Sequence, residues 1–168
     1  MLGKFKGQAA MEYLMTYGWA LLVIVIVIAV LMWINPFKAP PQCIFDEPGF
    51  ACTGTMILQT NGQFYADIVN GNYRSVKIEK IALIRGRDDP TLAAYQNVAI
   101  NLKQQGSFNT GDPKYVILVA RKADGTLQTF AKGDDFSGRL YIAYHYTDDD
   151  PAIVPAKIVG ANIVTRAQ

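Results

Sequence analysis

Few side chains in this chain could do chemistry. It has one histidine, His145, set between Tyr144 and Tyr146. It has two cysteines, Cys43 and Cys52, nine positions apart, and one acidic run, Asp148-Asp149-Asp150, ahead of Pro151. A hydrolytic triad needs a serine or cysteine nucleophile in reach of an oriented histidine. No Gly-x-Ser-x-Gly, phosphate-loop or dinucleotide pattern supplies one. A tetrahedral metal site needs four ligands, and no histidine or further cysteine lies near the cysteine pair to complete it. The three aspartates lack the alternating spacing and turn glycine of a calcium loop, so they read as a solvated acidic turn. The expectation is a chain that is not an enzyme and holds no metal or cofactor. Two readings stay open for Cys43 and Cys52. One is a disulfide closing a small loop, as an extracytoplasmic location favours; the other is a pair of reduced, partly buried thiols.

Glu12 is informative because it stands at the head of a long apolar run. From Tyr13 to Phe37 there is no charge, an interval of 25 residues, or roughly 38 Å as a helix. A bilayer core about 30 Å thick needs about 20 apolar residues. The interval is long enough to span, too long for the apolar part of an ordinary secretory signal, and has no Ala-x-Ala-like cleavage site after it. Residues Trp19 to Trp33 are apolar on every side, so the helix must be surrounded by lipid or by protein. Val23 to Val30 would favour a strand in water, but in lipid only a helix satisfies the backbone of a single segment. Asn35-Pro36 ends it, and Pro36, Pro40 and Pro41 stiffen the connector. Lys4 and Lys6 flank the N-terminal end while Asp46 and Glu47 come after Lys38 at the other, which places the N-terminus in the cytoplasm and the bulk outside.

The first 35 residues carry a further pattern. Lys4-Phe-Lys-Gly-Gln-Ala-Ala-Met-Glu-Tyr13 sets a basic leader and a small residue before Gln8, with Glu12-Tyr13 opening the apolar run. This start resembles the class III signal peptide of archaeal type IV pilin-like proteins, and pilins rather than archaellins. The resemblance implies a prepilin peptidase cutting between Gly7 and Gln8 and removing Met1–Gly7. It further implies a membrane-inserted precursor, then an extracellular, adhesive filament polymerised through the apolar helix with the pilus assembly machinery. Assembly residues would be Gln8, Glu12 and Tyr13. Glu12 would pair with the free α-amine of Gln8 in a neighbouring subunit, unless Gln8 cyclises. The alternative reading of Glu12 is a carboxylate resting in the headgroup layer, favoured by the helix dipole. Tyr13 and Tyr17, a turn apart, read as interface anchors or helix packing, and Gly18 as a close approach or a slight bend. Without Lys4 and Lys6 the basic and acidic side chains number 14 each. A neutral surface gives no footprint for nucleic acid. No Asn-x-Ser/Thr sequon occurs, so N-linked glycosylation is not expected.

The elements behind these residues divide into a leader 1–7, an apolar helix 8–35, a connector 36–42 and a head 43–168. In the head the hydrophobic period falls to two. Strands are expected at 55–60 and 63–69 around Asn61-Gly62, at 76–84 with an irregularity, and at 98–102. Further strands are expected at 115–121 and 126–130 around Asp124-Gly125, at 139–146 and at 157–164. Short strands with turn signals between them argue for an antiparallel sandwich. The resemblance makes it immunoglobulin-like and the fold class α+β. The competing function is a membrane-anchored monomeric extracellular binding domain that keeps its helix in lipid.

Overall fold

A computed structural model describes residues 5–34, 40–97, 99–100 and 108–168. The chain divides into two units, Met1–Ala39 and Pro40–Gln168.

The first unit is helix α1, Phe5–Ile34. It begins three residues ahead of the expected start at Gln8 and so carries the Gly7–Gln8 bond within a helical turn. Leucine, isoleucine and valine surround its axis. Every residue from Met11 to Ile34 is exposed except half-buried Ala20. Local strand propensity in the Val-Ile run yields because a helix makes all its backbone bonds inside one segment. The rest of the leader (1–4) and the connector residues 35–39, with Asn35, Pro36 and Lys38, lie outside the described residues.

The second unit is a mostly antiparallel sandwich with a barrel-like join. Its strands are β1 (Gln42–Phe45), β2 (Phe50–Cys52), β3 (Ile57–Leu58), β4 (Gln63–Asn70), β5 (Val76–Arg85), β6 (Gln96–Asn97), β7 (Ala99–Ile100), β8 (Pro113–Arg121), β9 (Asp135–Tyr146) and β10 (Lys157–Arg166). One sheet runs β1-β10-β9-β5, with β6 on β5; the other places β2 and β3 on β4, then β8 and β7. The sheets join where β5 meets β8 in parallel over two pairs, Leu83 with Ala120 and Ile84 with Arg121. Because β1 starts at Gln42, the last residue of the expected connector 36–42 is already strand.

Alternation sets the core. β4 buries Phe64, Ala66 and Ile68, β8 buries Val116, Leu118 and Ala120, and β9 sends in Phe136, Leu140, Ile142 and Tyr144. The expected irregularity in β5 is a bulge: register with β9 shifts between Ile78 and Lys80. The extra residue brings the earlier and later apolar positions onto one face. Asn61-Gly62 does turn a hairpin, with a loop longer than two residues. Gln59 N–H donates to Gln63 O at 2.8 Å and Gly62 N–H to Gln59 O at 2.9 Å. Gly62 takes φ +86°, the left-handed position of a three-residue loop, and a Cβ there would press on Gln128 O. The expected strand 126–130 is not formed. That segment makes one bridge, Arg121 with Leu127, because it leaves the sheet to bury Phe130 edge-on against Phe136. Of the expected strand 98–102, only residues 99 and 100 are described, as β7.

A second small cluster forms on the outer face of β5 and β9, where Ala82, Ile84 and Tyr141 pack with Ala94, half-buried Tyr95 and Ala123.

Candidate functional site

Three sets of residues come together, one on the helix and two on the head.

Met11–Ile34 is a 24-residue stretch long and apolar enough to cross a membrane, about 36 Å at the helical rise. Gln8 and Glu12 lie one turn apart in sequence on α1, and Tyr13 lies about 100° round from Glu12. The Glu12 side chain is exposed. Thr16 donates its hydroxyl to Glu12 O at 2.8 Å, satisfying within the helix a polar group that hydrocarbon would penalise. The Tyr13 and Tyr17 rings meet at a tilt of 37° with centroids 4.4 Å apart. Whatever covers this helix meets one aromatic ridge and, at Gly18, an adjacent notch with open space above its Cα.

At the start of the head, Cys43 and Cys52 are joined in a disulfide, their Cα atoms 6.0 Å apart. Of the two readings open from sequence, the oxidised one is the observed state. The bridge links β1 in one sheet to β2 in the other. Next to it the Asp46 carboxylate pairs with Arg139 and accepts from Asn162 Nδ2 at 3.1 Å. Gly160 makes room for this. A Cβ at that position would lie 2.7 Å from the Arg139 guanidinium and 2.9 Å from the Asp46 carboxylate.

Elsewhere in the head lies a cluster around Tyr146. The Arg74 guanidinium and the Lys157 ammonium each sit 4.4 Å from its ring centre. Arg74 also donates to Asp149 at 3.0 Å and Asp148 at 3.2 Å, so the acidic run is partly paired. His145 is buried. Its Nδ1 faces Glu79 Oε1 at 3.0 Å and its Nε2 faces Val154 O at 2.9 Å. Glu79 is the residue that the β5 bulge turns toward this histidine. Burial, then the neighbouring Tyr146 and Glu47, pushes the Tyr144 phenol up to about 12, so it stays a neutral donor at any physiological pH. Asn70, fully buried, is satisfied four times. It donates to Phe108 O at 2.7 Å and Arg74 O at 3.0 Å, and accepts from Asn72 N at 3.0 Å and Asn72 Nδ2 at 2.9 Å.

These contacts are ion pairs, amide nodes and stacked rings, which hold strands and loops in place. Among the described residues no three His, Cys, Asp or Glu side chains converge as metal ligands. Sequence reading singled out Cys43, Cys52, His145 and the aspartates. It missed the pairings of Arg74 with Asp148 and Asp149 and of Arg139 with Asp46, whose partners lie far away along the chain and leave no local signal. No protein-family model, curated protein or solved structure matches the chain.

Proposed function

We propose that this chain is a pilin, the structural subunit of an archaeal type IV-like pilus. In this reading the precursor inserts through α1 and a prepilin peptidase cleaves between Gly7 and Gln8. The shortened helix then leaves lipid for a bundle of identical helices, with immunoglobulin-like heads outward in an extracellular, adhesive filament. The observation that carries it is the helix, apolar and exposed on every face, directly behind Gln8 and Glu12-Tyr13. A helix of this kind has no apolar stripe with which to choose between lipid and protein, so it can exchange one for the other. Exchange gains close packing at small residues. It also draws Glu12 away from the interface, which is tolerable only beside a partner such as the Gln8 α-amine of the next subunit.

Intact mass and N-terminal sequencing of protein sheared from cells test this. The expected product begins at Gln8 or its cyclised form, in the filament fraction. A chain that begins at Met1 and stays in the membrane would replace the reading with an anchored monomer. Glu12→Ala is expected to abolish filaments while the head keeps its unfolding midpoint. Normal filaments from that variant would end the ion-pair account of assembly.

A further inference from the structure

The head closes its two seams by different means. At one, β5 and β8 share backbone pairs. At the other lie the two ends of the strand path, β1 and β2, tied by Cys43–Cys52. β1 is four residues long and is held to β10 by the pairs Gln42 with Val164 through Phe45 with Ala161. Beyond them come the Asp46 N–H bond to Gly160 O at 2.9 Å and the Arg139 ion pair. The chain enters the head at Pro40 and Cys43 is the second residue of β1. Any pull arriving from the N-terminal side therefore meets a single strand residue, Gln42, before it meets the bridge. Without the bridge, a peel starting at Gln42 breaks the ladder one pair at a time. It then uncovers Phe45, which packs on the core beside Phe50 at 5.8 Å between ring centres, and bares the edge of β10 to foreign strands.

We infer that the Cys43–Cys52 disulfide is a tension staple: force reaching the head from its N-terminal helix crosses at Cys43 into β2 and bypasses residues 44–51. β2 passes it through Cys52, Ala51 and Phe50 to Ile68, Val69 and Asn70 of β4. β4 is the better place to receive it, being paired to β8 over seven positions from Gln63 to Val69 and fastened at its end by the Asn70 amide node. The inference rests on reading α1 as the anchor, and not on filament formation.

The test is a single-molecule pull on the full chain in detergent micelles. One handle sits on an N-terminal tag. The other sits on a C-terminal tag behind Gln168, so that both handles load the Gln42–Val164 end of the β1–β10 ladder. Helix events are common to all states and cancel. With the disulfide intact, residues 44–51 should contribute no length in the first head rupture. After phosphine reduction, an earlier and weaker event should appear, adding about 25 Å of chain before the sheets part. An identical first rupture in both states would overturn the staple, and so would an early event in the oxidised protein.

Hydrogen exchange on the Cys43→Ser/Cys52→Ser double variant gives a second readout. Amides of Ile44 and Asp46, which face β10, should exchange at least tenfold faster, with those of β4 and β8 unchanged. Acceleration spread evenly over the head, or none in β1, would count against it. If the variant does not fold, the reductant comparison on the native chain decides. Filaments that form normally without an early event in reduced subunits would sink the staple alone. An early event in a chain that never assembles would sink the pilin reading alone.

Discussion

Helix α1 and the head must both take apolar surface out of water, and they do so by opposite routes. In the head, Phe64, Phe108, Phe136, Leu58 and Ile68 are all but sealed from solvent, each supplied by a sheet or loop that turns another face outward. On α1 no face is sealed in this way, and apolar side chains are exposed all round it. Val25 and Ile26 are half exposed, Trp33 almost wholly so, and among the described residues α1 has no second element in its unit to cover them. The head's stability is therefore written into its own packing, whereas under the proposed function the helix would take its stability from lipid or from other helices.

Breaking the contrast begins in the core. Phe64→Ala removes a ring with no exposed surface and is expected to cost the head about 3–5 kcal/mol. A urea titration of the head's tyrosine signal would read this, with membrane insertion unchanged in a flotation assay. Val25→Arg inverts the pattern. A charge near the middle of the span costs about 2.5–3.5 kcal/mol of insertion, while the head keeps its urea midpoint. If either substitution moved both readouts, the two units would not be independent.

A sharper test lies in Tyr144. Its native value of about 12 exceeds the unfolded value of 10.0, so the folded head holds the phenol proton more tightly. The associated stability is fully present below pH 10 and lost as pH rises toward 12. Tyr144→Phe should flatten that alkaline slope; a slope unchanged by the substitution would move the effect to another group. The smallest expected effect is Gly160→Ala. The added methyl displaces the Asp46–Arg139 pair, and part-exposed pairs are worth about 1 kcal/mol or less. Thermal unfolding should fall by a few degrees, with insertion untouched.

Local chemistry explains how much of this could be read in advance. Asn61-Gly62 announced a hairpin because a left-handed turn position selects glycine, and the phase slip in β5 announced a bulge because side chains must alternate. Strands β1 and β2 escaped notice. At four and three residues they are too short to show alternation, and the disulfide and one ladder each hold them in place. Thr126–Phe130 misled in the other direction. Its alternation is real, and Lys122 N–H and Ala120 O do bond Thr126 O and Gln128 N–H, but Phe130 N–H then donates to Thr60 O instead of β8, so the pairing stops at one bridge.

The sequence by itself determined the helix, because a charge-free run of 25 residues needs only neighbours along the chain to act, although its start lies at Phe5 and not at Gln8. It also determined that the only two cysteines lie nine positions apart, near enough to meet. Tertiary structure alone decided that their bond spans the open seam between two sheets, and that β5 joins β8 in parallel. It likewise decided that Arg74 finds Asp148 and Asp149, and that Arg139 reaches Asp46. Those pairings depend on sheet register, in which a slip of one residue sends every side chain to the opposite face, and no local pattern carries that information.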